Sequence, residues 1–188
     1  MCGEMLEVMD KFYLLLHPRP AYIIGAGRFD EVVNFMAASW VTPVSEEPPR
    51  VVVAVGVDSF TNELIKKYRE FTVNIYPIER IDDVYFLGST SGWEINKVEK
   101  LGLKVGEGEK VKAPVLLDSL AFLECKLVLE VESGDTTIFI GEVVNAKASK
   151  EAFSIRKGWK IPGVNIPLHN WGRGFYIVGK FLMARRST

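Results

Sequence analysis

What is scarce in this chain narrows its chemistry before any motif is read. Its 188 residues include two cysteines, Cys2 and Cys125, and two histidines, His17 and His169. Two thiols make no disulfide framework, and a reducing cytoplasm is the expected setting. Neither histidine has a second histidine or a cysteine at ligand spacing in the sequence, so no metal site is expected. Charge of one sign is missing as well. The 23 Lys and Arg against 24 Asp and Glu leave a formal net charge of −1. That balance gives no bulk attraction to nucleic acid or to an anionic membrane, and neither is expected as a partner. Apolar runs such as Val51 to Val57 fall far short of the about 20 residues that cross a bilayer. The first residues carry Glu4, Glu7 and Asp10 instead of basic residues and an apolar run, so no secretory signal is expected. Gly25-Ala26-Gly27-Arg28 stops short of the dinucleotide-binding fingerprint, and no Walker loop exists.

What is present reads as an ordinary globular chain, 48% apolar and 25% charged. A domain of this length buries roughly 70% of its unfolded surface, enough for a core without staples. No linker divides it, so one domain over residues 1–188 is expected. Ala21 to Gly27, Asn34 to Trp40, Thr72 to Tyr76 and Phe175 to Ala184 read as strands between Pro and Gly punctuation. Val51 to Val57 is apolar at nearly every position and reads as a central strand buried on both faces. Ala121 to Glu132 alternates with period two, Ser133-Gly134-Asp135 turns, and Thr136 to Ala148 returns. Phe60, Leu64, Tyr68 and Phe71 share one helical face behind an N-cap at Ser59. Ile78 to Leu87 and Trp93 to Leu101 read as further short helices, and 102–114 as loop. About seven strands with antiparallel hairpins and two or three short helices favour a barrel or sandwich over a doubly wound sheet.

Three polar clusters are candidates for chemistry. Ser59 and Thr61 stand at a helix start, where free N–H groups and the helix dipole favour an anion; a plain N-cap explains Ser59 equally. Gly88-Ser89-Thr90-Ser91-Gly92, with Lys97 beyond it, offers glycines for close approach, hydroxyls and a charge. A flexible connecting loop is its alternative reading. Asn34 to Trp40 has small residues, Ala37, Ala38 and Ser39, that would let a flat ring lie on the backbone. His169-Asn170-Trp171-Gly172 adds a titratable ring and an aromatic in a glycine-rich loop, and a lone histidine there is weighed against a structural one.

Taken in order, these pieces resemble the flavin reductase-like FMN-binding split β-barrel family, which includes flavoredoxin and archaeal ferric reductase. The resemblance begins at His17-Pro18-Arg19-Pro20 and continues through Asn34-Phe35-Met36-Ala37-Ala38-Ser39-Trp40. It is carried further by Pro48-Pro49, by Ser59-Phe60-Thr61, by Glu70-Phe71-Thr72-Val73-Asn74-Ile75, and by Gly88 to Gly92 with Lys97. Leu101-Gly102-Leu103, Ala113-Pro114 and Leu123-Glu124-Cys125-Lys126 complete it, over roughly residues 10 to 182. The resemblance implies a mainly β fold, an antiparallel Greek-key split barrel with short flanking helices. It implies bound FMN, with Asn34, Met36, Ala37, Ala38, Ser39 and Trp40 facing the isoalloxazine. Ser59, Thr61, Ser91 and Lys97 would hold the phosphate, and His169 and Trp171 lie in the later loop. Many members carry an arginine near Ser59, where this chain has Asp58. The phosphate's positive charge is then expected from Lys97 or a second subunit.

The activity implied is that of an NAD(P)H-dependent flavin or ferric reductase, with NADH or NADPH as reductant and no general base needed. His169 is the weak candidate for any catalytic side chain. A homodimer with FMN near the interface is implied too. The alternatives are a flavoredoxin-like electron carrier reduced by a protein partner, and a β-barrel interaction module without cofactor.

Overall fold

The computed structural model describes residues 5–184; Cys2 and the two ends of the expected 1–188 domain lie outside them. Apolar alternation produces most of the chain. Strands β1 (Tyr22–Arg28), β2 (Val32–Ala38), β3 (Val41–Ser45) and β4 (Arg50–Gly56) follow one another closely. Helix α1 (Phe60–Tyr68) and strand β5 (Glu70–Ile75) come next, then α2 (Ile81–Ser89) and α3 (Lys97–Leu101). The hairpin β6 (Ala121–Ser133) and β7 (Thr136–Ala148) is followed by the small pair β8 (Leu168–Trp171) and β9 (Gly174–Tyr176). Seven strands form one antiparallel sheet in the order β2-β1-β5-β6-β7-β4-β3.

The two edges of that sheet, β2 and β3, are consecutive in the chain. Only Ser39 and Trp40 separate them, and the Trp40 carbonyl accepts from Ala54 N–H at 3.0 Å. The sheet is therefore rolled, and one continuous run pairs with β1 on one side and β4 on the other. Inside lie Ile24, Val53, Val55, Phe71, Val73, Cys125 and Phe139. Helix α1 covers one end of the barrel with Leu64 and Ile65. It is tied down by Asn62, whose amide donates to Val55 O and Thr137 Oγ1 at 3.3 and 2.8 Å. Among the described residues no helix is long and apolar enough to cross a membrane.

A second core lies outside the barrel, where α2 and α3 pack Val84, Leu87, Val98 and Leu101 over Ile23 and Phe35. Strands β1 and β5 are the ones buried on both faces. Val51 to Val57 is not: Val51, Val53 and Val55 point in, while Val52 and Ala54 are half-buried on the outer surface. A rolled sheet has one inside, so the second apolar face of β4 faces out.

Other boundaries move for local reasons. Helix α1 stops at Tyr68 because Arg69 turns left-handed, at φ 60°, and Phe71 belongs to β5. Helix α3 starts only at Lys97, where the Asn96 side chain accepts from Glu99 N–H. Ile78–Arg80 forms a separate 3-10 turn before α2, and Val105–Glu107 inside the expected loop pairs with Pro114–Leu116. The last strand ends at Tyr176, and Ile177, Phe181, Leu182 and Met183 stay exposed without a strand to join.

The β6–β7 hairpin leaves Val128 and Val144 unpaired at two register shifts, so simple alternation fails along it. Glu124 is fully buried instead of facing out. Burial opposes its charge, but Lys110 and Val111 N–H and the Asn145 amide bind it at 2.6, 3.0 and 2.7 Å and hold its carboxyl below the usual value. Burial, with Glu124 alongside, pushes the neighbouring Cys125 thiol up to about 12.

The two cores meet most tightly at Gly25. A Cβ there would collide with Pro114 O, Thr72 Oγ1 and the Phe35 ring. Gly25→Ala is expected to destabilise the protein by about 1–3 kcal/mol, the range for overpacking a filled core. Urea unfolding reads this directly, and an unchanged midpoint would contradict the close approach.

Candidate functional site

The candidate residues separate into a scaffold and a cavity. The scaffold is a buried polar corner where β2, α1 and the loop after α2 meet. Asn34 donates to Thr61 Oγ1 at 2.9 Å, and both side chains are buried. Gly92 lies so close that a Cβ would strike Asn34 Oδ1. Trp93 packs against Phe60 with ring centres 4.5 Å apart and planes tilted by 45°, and donates its indole N–H to Asp58 O at 3.1 Å. Clusters 27 to 58 residues apart in sequence, around Asn34, Thr61 and Gly92, are therefore brought together.

This corner uses its polar atoms internally. Ser59 accepts from Asn62 N–H at 3.2 Å and donates to Gly56 O at 2.9 Å, which is the plain N-cap. Lys97 is only 4% exposed. Its ammonium donates to Leu87 O at 2.9 Å and Phe35 O at 3.2 Å, joining the end of α2 to β2. The opening beside it, of about 340 Å³, is lined by Glu31 and Glu94, which repel an anion. Lys97 thus faces inward where the sequence suggested an outward charge. Ser91 alone of the four expected phosphate residues is exposed; its hydroxyl accepts from Trp93 N–H at 3.3 Å.

The cavity lies at the other end of β2. It holds about 280 Å³ between Ala37, Ala38 and Ser39 of β2 and its exit, Tyr85, Gly88 and Ser89 of α2, and His169, Trp171 and Phe175 of the β8–β9 pair. Small residues on β2 and α2 leave a flat floor. Met36 points the other way and packs against the barrel core. Trp40 lines an adjoining groove that shares Ser39 with the cavity and continues over Val52, Ala54 and Ile138. Tyr13 stands between Trp40 and Trp171, with ring centres 6.0 and 6.2 Å away.

Several neighbours were invisible in the sequence. His17 and His169, 152 residues apart, meet edge to face at 5.5 Å because Arg19 pairs with His169. His17 Nδ1–H donates to His169 O at 3.0 Å and His169 Nε2–H to Gly172 O at 3.2 Å. Carbonyl partners accept only, so they fix both tautomers. Arg173 lies over the Tyr85 ring at 5.5 Å and gives the cavity rim a cation. Only the fold brings it there.

Comparison with known proteins agrees with this architecture. The model of the flavin reductase like domain matches residues 14–179. An uncharacterized protein of Archaeoglobus fulgidus is 43% identical over 145 residues, which cover 77% of this chain and 78% of that protein. The flavoredoxin of Desulfovibrio vulgaris (Miyazaki F) superposes with a TM-score of 0.80 at 28% identity, covering 89% of this chain and 91% of that one. An FMN-binding protein from Thermus thermophilus with bound 1-cyclohex-2-enone gives 0.84 at 27% identity, covering 98% and 99%.

Burial lowers the Lys97 ammonium from 10.5 to about 8. Between these values the unfolded chain holds more protons than the folded one, so this group adds stability as pH rises through that window. Below about 8 the charged form sits buried and its full cost is present. Relative to Lys97→Met, the protein is expected to gain up to about 3 kcal/mol between roughly pH 7.5 and 10.5. Urea midpoints of both proteins across that range test it, and a constant difference would mean Lys97 titrates as it does in water.

Proposed function

The chain belongs to the flavin reductase like family, and on that footing we propose that it binds one FMN per subunit and acts as an NAD(P)H-dependent flavin or ferric reductase. The observation that carries this reading is the flat cavity of Ala37, Ala38, Ser39 and Gly88 walled by His169 and Trp171. Its floor suits a planar ring. The Gly88–Gly92 loop runs from that cavity to the Asn34 corner, roughly 13 Å along β2 at the usual rise per residue.

The residues that would hold the ring are Ala37, Ala38 and Ser39, with Trp171 and His169 at its edge. The phosphate would take the Ser91 hydroxyl and the loop's backbone, and the Arg173 guanidinium, which lies over Tyr85 at the cavity rim, is its candidate cation. Bound FMN supplies hydride acceptance from a nicotinamide and onward electron transfer. The chain's part is to orient, to exclude water on one face and to leave the other open. His169, its Nε2–H committed to Gly172 O, is a positioning group in this scheme.

We propose a homodimer with the flavin near its interface. Register places Val52, Ala54, Ile138, Ile140, Leu129 and Val131 side by side on the outer surface. Leu129 and Val131 remain 49% and 45% exposed. A contiguous apolar patch of this kind marks an interaction surface, and twofold dimers are the commonest oligomers. The patch runs into the groove at Ser39 and Trp40, beside the cavity.

Anaerobic mixing of the FMN-loaded protein with NADH and with NADPH is the deciding experiment. Loss of flavin absorbance within seconds supports the reductase. Reduction by dithionite but by neither nicotinamide would favour the flavoredoxin-like carrier. Arg173→Ala is expected to weaken FMN about tenfold, the loss of one partly screened charge-assisted bond, and to leave riboflavin unaffected in the same titration. Val131→Lys with Ile138→Lys should yield a monomer by light scattering with weakened FMN; a dimer that persists would contradict the patch.

A further inference from the structure

The barrel has two ends, and only one is filled. At the end covered by α1, Leu64 and Ile65 complete the core. At the other, the strands open on a cavity of about 320 Å³ bounded by Val51, Val73, Leu123 and Val143 and covered by Trp159 and Ile166. The cover belongs to the segment between β7 and β8 and packs with Ile75 and Ala121 as a small cluster of its own. A cavity this large at a barrel mouth has the size of a small-molecule site.

Its polar equipment is sparse and one-signed. Arg50 lines it, and the Arg50 Nε is buried without a hydrogen-bond partner. Arg50 enters none of the ion pairs among the described residues. No Asp or Glu lines the cavity. The Tyr22 phenol also borders it, with burial alone acting on that group. One unpaired guanidinium in an apolar chamber asks for a planar acceptor anion on an apolar body. The chamber shares no lining residue with the Ala37–Ser39 cavity.

We propose that this end of the barrel is a second ligand site, for a small apolar carboxylate held by Arg50. The site is independent of the flavin reading. Naphthoate and the uncharged naphthamide, titrated calorimetrically into the protein as purified, separate charge recognition from apolar filling. Naphthoate is expected to bind once per chain and at least tenfold more tightly than the amide. Arg50→Met should erase that difference, and Val143→Trp, which fills the chamber, should abolish both. The wild type alone gives a second reading: nuclear Overhauser contacts from naphthoate to the Ile75 and Ile166 methyls. Equal affinity for acid and amide, absence of binding, contacts to other methyls, or displacement of bound flavin by naphthoate would each overturn the proposal.

Discussion

The fold turns on a single bend. Residues 32–45 form both edges of the seven-stranded sheet, and Ser39 and Trp40 carry the chain from one edge to the other. Because β2 must pair with β1 while β3 pairs with β4, the sheet has to roll, and inside and outside follow from that. The bend leaves Ser39 at the junction of the flat cavity and the outer groove. Architecture and site thus share one pair of residues.

Much of this was legible in the sequence, and the limits have physical causes. Period-two alternation located the strands, because a strand's faces differ whichever sheet it joins. It does not say what covers each face. Val51 to Val57 looked doubly buried, yet β1, covered by α2 and α3, and β5 hold that position. Spacing likewise placed Lys97 beyond the Gly88–Gly92 loop but did not give its direction. Its stem is long enough to reach inward, and two backbone carbonyls draw it there. Met36 lies in the Asn34–Trp40 segment but packs against the barrel core and does not line the cavity. Ala37, Ala38, Ser39, His169 and Trp171 do line one cavity. Arg173 joins them only through β8 and β9, a contact with no local signature.

Rigidity and openness are divided between the ends of β2. At its start, Asn34, Thr61 and Lys97 satisfy one another or nearby carbonyls, so the corner fixes the helices against the strand. Buried polar groups so engaged specify a unique arrangement. At its finish, small side chains and a loosely covered aromatic rim leave room. A ligand spanning both would rest on a surface already set by the first.

Cys125 gives the arrangement a chemical consequence. Its thiol lies in the barrel core with its ionisation pushed up to about 12. At neutral pH the thiolate fraction is then on the order of one in 100,000, and thiolate is the form that oxidants attack. The core sulfur is thereby a poor target for oxidants, while the thioethers of Met5, Met9 and Met183, each more than 80% exposed, are the accessible ones.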